Sequence, residues 1–503
     1  MTRRDFAALP ALAALPAAPA LSAVPALPAL PALPAPAAPP AAPIALGSRR
    51  ELFVDRFLVA GLEGAELRLA TPLDAGPALA FDRPWEGAFC AYSTVLRHGG
   101  RWLLYYRGVP SSGPDGRAAE VTCVAESADG RTFTRPELGL FAMAGAPRNN
   151  VVLANAAPFS HNFSPFVDTC PGVGAGPALK AIAGVHSSGL HGFVSADGFR
   201  WTPVQAGPVL PSPKEFTFDS QNVAFYSEHE RKYVLYYRTW QEIGGTKYRW
   251  VSRAVSEDFV HWTTEGPVDY GGAPPEHLYT NQTSPYFRAP HIYAGICARF
   301  FPGRQVLTEA QARAVQVDPQ YFQDCSDAVL VTSRGGRSFS RTFLDAFLRP
   351  GLGLQNWVSR SNYPALNLAQ TGPAEMSFYV NRDYGQPTAH LRRYALRLDG
   401  FASLHAGYGG GTMLTHPVTF TGHRLALNYA TSAAGSVRVE LLDGDRQALP
   451  GFGLADAAEL IGDEIEGYAR WKQGVGVGAA QGRVVRLRFH LKDADVYSFG
   501  FLG

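Results

Sequence analysis

The chain reads as an all-β protein, a five-bladed β-propeller followed by a C-terminal β-sandwich, and three observations predict this. The first is a recurring hairpin-tip pattern, Ser-x-Asp-Gly-x-x-aromatic. It occurs at residues 127–133 (Ser-Ala-Asp-Gly-Arg-Thr-Phe) and 195–201 (Ser-Ala-Asp-Gly-Phe-Arg-Trp), with degenerate copies at 256–262 and 333–339 and a weak fifth at 398–401. The opening serines lie 68, 61 and 77 residues apart, a blade-sized period. The chemistry suits a turn: the Asp carboxylate takes nearby backbone N–H groups, Gly accepts a positive φ, and the aromatic restarts the strand facing a core. The third copy loses the Gly and the fourth the Asp. The second observation is an echo: residues 102–107, Trp-Leu-Leu-Tyr-Tyr-Arg, return at 233–238 as Tyr-Val-Leu-Tyr-Tyr-Arg. The third is that neither a long amphipathic helix nor a βαβ pattern interrupts the strands.

Taken in order, the N-terminus reads as an export signal over residues 1–23. Arg3-Arg4-Asp5-Phe6 is a twin-arginine pattern, the run 7–15 is apolar, and small residues near Ala20 and Ala23 offer cleavage sites. The run is too short and too Pro-broken for a membrane span. An Ala/Pro-rich disordered linker occupies 24–46, the propeller 47–405, and the sandwich 412–503. An N-terminal strand within 58–69 is expected to help close the ring.

Five units follow, at about 81–140, 149–208, 218–268, 276–343 and 362–404. Their strands are expected at 89–96, 101–107 and 121–127; at 181–185 and 192–195; at 232–238; at 291–299 and 328–333; and at 375–381 and 390–398. Residues 307–315 read as a short inserted helix with a Thr308 cap. Beyond the Gly-rich 407–411, alternating segments at 418–420, 424–429, 436–442 and 484–491 make the sandwich.

Composition narrows the function classes. A formal charge of +2 over 503 residues leaves no electrostatic footprint for nucleic acid. Five scattered cysteines, with no Cys-x-x-Cys or Cys/His spacing, argue for buried thiols over a zinc site. Phosphate-cradling glycine loops, a Gly-x-Ser-x-Gly elbow and His-Glu-x-x-His are all absent.

Blade-sized repeats, Ser-x-Asp-Gly-x-x-Trp turns, Tyr-Tyr-Arg strands and a trailing sandwich together resemble the arabinanase/levansucrase/invertase superfamily, the five-bladed propeller glycoside hydrolases of families 32, 43, 68 and 130. The stretches Phe218-Asp219-Ser220-Gln221-Asn222 and Pro274-Pro275-Glu276-His277-Leu278-Tyr279-Thr280-Asn281-Gln282 are similar to an exported branch typical of planctomycete-like bacteria. The invertase Asn-Asp-Pro-Asn and Arg-Asp-Pro signatures are absent. The resemblance implies a periplasmic or extracellular enzyme that hydrolyses glycosidic bonds, with carbohydrate as its partner. It implies a pocket at one end of the central channel, lined by carboxylates from the heads of successive units. Glycosidic cleavage needs one protonated and one ionised carboxyl group.

Four acids stand at such heads: Asp219, Glu276, Glu86 and Asp168. Asp219 and Glu276 are the expected acid/base pair, supported by the other two. Substrate-facing roles fall to Asp82, Trp85, His161, Asn162, Gln221, Asn222, His277, Tyr279, Asn281, Gln282, Arg288 and His291. Trp85 offers a stacking face, the amides hydroxyl contacts, and Arg288 with His291 an anion site. No cofactor is called for, although a channel cation such as Ca2+ fits the expected architecture. Two alternatives share this sequence: a non-catalytic glycan-binding propeller, and a glycoside phosphorylase of the same superfamily.

Overall fold

The computed structural model describes residues 42–503 apart from 144, 173–177, 214 and 475. The proposed signal peptide and most of the linker lie outside the described residues. Five antiparallel sheets form the blades. The first runs outward through Ala91–His98, Arg101–Gly108, Val121–Ser127 and Val151–Leu153. The second contains Ser164–Val167, Leu179–Ala183, His191–Ser195 and Thr202–Pro203. The third has long middle strands, Lys232–Ile243 and Thr246–Ser256, that overhang the blade. The fourth, built on Ala289–Phe301 and Cys325–Ser333, has an inner edge split between His277–Leu278 and Ser284–Tyr286. The fifth pairs Glu375–Arg382 with His390–Arg397 and takes Leu73–Ala80 as its outer strand.

That last pairing corrects one expectation. The strand that closes the ring is Leu73–Ala80, not a strand within 58–69. Val59–Glu63 and Glu66–Leu69 pair instead with Gly411–Thr415 and Ala402–Ala406 in the sandwich. The cause is burial: Val59, Leu62 and Leu67 pack on the sandwich core, whereas Ala78 and Leu79 pack between blades. Ile44–Gly47, partly within the expected linker, pairs in parallel with Val418–Phe420.

The sandwich is built on two long bent strands, Arg424–Leu442 and Arg486–Leu502, which pair along two stretches separated by a register shift. The inserted helix is present as Glu309–Ala314, with Thr308 and Gln311 forming a capping box. All five cysteines are free thiols.

The Ser-x-Asp-Gly turns and the second-strand tyrosines prove to be two halves of one contact between neighbouring blades. Tyr105 of blade one donates its hydroxyl to the Gly198 carbonyl of blade two at 2.7 Å. Tyr236 of blade three does so to Gly336 of blade four, and Tyr379 of blade five to Gly130 of blade one. In blade two the register position of Tyr105 holds Ile182, and the next turn has lost its glycine to Phe259. Phe259 adopts a φ of 71° and packs in one apolar cluster with Ile182 and Phe166. At this joint the hydroxyl and the glycine are both lost, and an apolar contact replaces the hydrogen bond. The fifth copy is a buried joint: Asp399 accepts from Tyr286 at 2.8 Å and from Ser498 of the sandwich at 2.6 Å.

Candidate active site

Inner strands start, and second strands end, at one mouth of the channel; the Ser-turns lie at the opposite end. Just inside that mouth, one residue from each blade closes the channel. Gln221 Nε2 donates to Thr94 Oγ1 at 2.7 Å and lies 3.5 Å from Ser164 Oγ. Gln282 Nε2 donates to Gln221 Oε1 at 2.7 Å and to the Pro364 carbonyl at 2.8 Å. Gln221 and Gln282, expected to bind substrate, thus form a belt beneath the mouth.

Asp219 is held immediately before its inner strand by its neighbours in the Phe-Asp-Ser-Gln-Asn run. Asn162 and Asn222 each donate to both the Phe218 and the Ser220 carbonyls, between 2.7 and 3.2 Å. Phe218 sits at φ 67°, a strained conformation for a bulky residue. Asn162 and Asn222 are therefore positioning residues that grip the backbone on both sides of Asp219.

The Asp219 carboxyl faces that of Asp115 within hydrogen-bonding reach. Their environments differ. Burial pushes Asp219 above the usual carboxylate range, and Asp115 adds to this against the opposing pull of Arg238. Asp115 is held below its ordinary value: burial opposes this, but His161, the hydrogen bond from Asp219, Arg107 and Arg360 outweigh it. The surroundings thus shift the two carboxyls in opposite directions, Asp219 upward and Asp115 downward. Asp115 belongs to the irregular loop between Arg101–Gly108 and Val121–Ser127, and its side chain is 54% exposed.

Behind this pair, His161 is buried with Nδ1 3.0 Å from Glu120 Oε1 and 3.1 Å from Arg107 Nη1. Arg107 also donates to the Phe89 carbonyl and to Tyr384 Oη, and lies over the Tyr92 ring. Asp115, Glu120 and His161 place ligand atoms within 4.8 Å of one another, so these three could share a cation. Arg107 already supplies positive charge in their midst, and its guanidinium opposes an ion at Nδ1. The cluster is best described as an arginine-centred charge network.

The remaining predicted acids lie elsewhere, each satisfied by cations. Glu86 is fully buried, paired with Arg135 at 2.7 Å and accepting from Tyr106 at 2.6 Å. Asp168 follows the far end of its inner strand, with Lys180 at 2.6 Å and Tyr233 at 2.9 Å. Glu276 lies between Arg299, at 2.6 Å, and Arg341. Asp219 alone of the four has no ion pair within 4 Å among the described residues. Glu86, buried, and the part-buried Asp168 and Glu276 each have two or three close donors, and the acid that faces Asp219 is Asp115 in place of Glu276.

Other positions are resolved the same way. Trp85 is buried, its indole donating to Asn150, so it offers no stacking face. Asp82 is exposed beside Arg83 and Arg135. Arg288 and His291 lie at the opposite end of blade four, facing Asp399 and Glu51. Asn281 is buried with its amide nitrogen unpartnered. Tyr279 and His277 do stand at the mouth: Tyr279 accepts from Arg360 at 3.0 Å, and His277 Nδ1 accepts from the Arg249 amide at 3.2 Å.

Sequence reasoning missed Asp115, Glu120, Arg107 and Arg238. Pro114-Asp115-Gly116 looks like any turn. The arginines were visible as the ends of the two Tyr-Tyr-Arg echoes: Arg107 and Arg238 hold the same register position in blades one and three, both at the mouth. Two cavities lie apart from this site. One, of about 460 Å³, opens at the other end of the channel, and another, of about 640 Å³, lies between blade five and the sandwich.

No protein-family model matches the chain, and no curated protein matches it. Solved structures overlap it loosely. One described as a glycoside hydrolase covers 65% of this chain and 92% of its own, at 12% identity and a TM-score of 0.44. An N-acetylgalactosamine deacetylase from F. plautii, in complex with blood group B trisaccharide, covers 67% and 96% at 15% identity and a TM-score of 0.40. A family-32 β-fructofuranosidase of Bombyx mori covers 84% and 93% at 10% identity and a TM-score of 0.39. With TM-scores below 0.5, each is a likeness and carries no argument about activity.

Proposed function

We propose that the chain is an exported glycoside hydrolase that cleaves a glycosidic bond of an oligo- or polysaccharide at the mouth of the propeller channel. The observation that carries this reading is the Asp219–Asp115 pair, whose surroundings push one carboxyl toward the acid and the other toward the ionised form. The resemblance of the turn and strand motifs to the propeller glycosidases supports it.

Asp219 gives its proton to the leaving oxygen as the glycosidic C–O bond breaks, and ionised Asp115 takes the proton of the water whose oxygen bonds to the anomeric carbon. Asp219 is gripped by two asparagines, whereas Asp115 stands on an irregular loop with its side chain half exposed, so Asp115 is the carboxyl that adjusts to substrate. Arg107 and His161 keep Asp115 ionised.

Reducing-end release from a panel of plant, algal and bacterial oligosaccharides, with and without phosphate, tests the reading. Release independent of phosphate is expected. Sugar phosphate as the only product assigns a phosphorylase instead, and binding without release assigns a glycan-binding propeller.

A further inference from the structure

Beside Asp219, three guanidinium groups gather on one aromatic ring. The Tyr279 ring centre lies 4.9 Å from the Arg238 guanidinium, 5.2 Å from that of Arg249 and 5.5 Å from that of Arg360. Arg238 and Arg249 also flank Trp240, at 4.9 and 5.0 Å. The overhanging hairpin of blade three brings Trp240 and Arg249 to this place, directly opposite one another in register.

None of these three arginines has a carboxylate within 4 Å among the described residues, although Arg238 is only 3% exposed. Three other buried guanidiniums are held by carboxylates or by several acceptors. Arg253 pairs with Glu230 and Glu265, Arg341 with Glu276, and Arg382 places its donors on Tyr394, Asn362 and the Pro350 carbonyl. Among the described residues Arg238 leaves Nε and Nη2 without hydrogen-bond partners and Arg249 leaves Nε without one; Arg341 and Arg253 also leave such atoms, but each of those two has a carboxylate against its guanidinium. Stacking on Tyr279 and Trp240 offsets part of the cost of holding like charges together. It does not neutralise them, and an uncompensated buried charge is expensive. The same crowding, added to burial, lowers the basicity of His277.

We propose that Arg238, Arg249 and Arg360 form a subsite for an acidic group of the glycan, a uronate carboxylate or a sulfate ester. Arg238 Nη1 lies 3.2 Å from the Asp219 backbone carbonyl, so the acidic sugar sits next to the bond being cleaved. Planar guanidiniums suit either oxyanion through paired N–H donors. The inference rests on the hydrolase reading and names the substrate class for that same site.

The test is equilibrium titration of the full-length Asp219→Asn protein, which binds without turning substrate over. The probes are oligogalacturonides, glucuronoxylan oligosaccharides and sulfated galactan oligosaccharides, each beside its methyl-esterified or desulfated counterpart, and inorganic phosphate alone. One acidic probe is expected to bind at least about tenfold tighter than its neutral counterpart, the gain of one charge-assisted pair. Adding Arg249→Gln or Arg360→Gln brings it to the level of that counterpart, and Arg249→Lys restores part of the difference, which a folding defect would not. Uronate and sulfate arms identify the acid. Equal affinity within every pair, no acidic probe bound, or arginine-dependent binding of inorganic phosphate alone overturns the subsite. Acidic glycan bound by the wild type without release of reducing ends leaves the subsite standing and removes the hydrolase reading.

Discussion

Glu51→Gln tests how the sandwich is fastened to the propeller. Glu51 lies in the sandwich strand Arg50–Leu52, with its side chain fully buried. Its carboxylate meets Arg334 of the blade-four turn at 2.7 Å, His291 of blade four at 3.1 Å and Arg49 at 2.8 Å. Burial alone would raise its pKa, yet Arg334 and His291 outweigh burial and hold it at about 2 against an ordinary 4.5. That difference makes the ionised form about 3 kcal/mol better than the neutral one in the folded protein. A neutral glutamine of the same shape loses that amount and leaves Arg334 with Asp55 alone. Denaturant unfolding at pH 7 should therefore show a loss of about 3 kcal/mol. Because the folded value is depressed, the contribution is complete above the unfolded value of about 4.5 and disappears as pH falls toward 2. The wild-type advantage should accordingly shrink between pH 5 and 3. A loss under about 1 kcal/mol at pH 7, or one that persists undiminished at pH 3, refutes the reasoning.

Three further outcomes are expected. Gly198→Ala forces a methyl to 2.7 Å from the Tyr105 hydroxyl at a φ of 80°, so it should cost about 1–3 kcal/mol in unfolding experiments while Gly207→Ala, with open space around it, costs far less. Asp168→Asn and Glu276→Gln break partly buried ion pairs and should lower stability by about 1–3 kcal/mol, yet leave glycan turnover within about threefold; a collapse of turnover in a folded variant returns those acids to the site. Turnover against pH should rise as Asp115 ionises and fall as Asp219 loses its proton, with the falling limb above the ordinary carboxylate range; a profile flat through that region contradicts the oppositely shifted pair.

The fold was legible because its signals are local. A serine, an aspartate and a glycine within four residues specify a turn wherever they stand, and two intact copies with three degenerate ones at blade spacing specify a ring. What the turns hold on to was not legible, since Tyr105 and Gly198 are far apart in the chain. For the same reason the sequence marked Asp219 and His161, which the fold places at the channel mouth, and equally marked Glu86, Asp168 and Glu276, which it places against cations. An acid at the head of a blade looks catalytic until its cations are known, and Arg135, Lys180, Arg299 and Arg341 come from other strands or turns. The polar run at 218–222 drew attention correctly, although most of its polarity serves the backbone around Asp219 and the belt below. Asp115 escaped because its loop carries no strand periodicity and its partner is on another blade. The closing strand was misplaced because 58–69 and 73–80 are both short, loosely alternating segments, and only the surface each one covers distinguishes them.

The central claim is that Asp219 donates the proton that breaks a glycosidic bond, and the most direct measurement is reducing-end release by wild type and Asp219→Asn on the same oligosaccharide panel. Release by the wild type is expected, with a fall of about 10²–10⁴-fold in the folded Asp219→Asn protein, the contribution of a positioned general acid. Equal release by the two proteins would contradict it and move the chemistry away from the channel mouth.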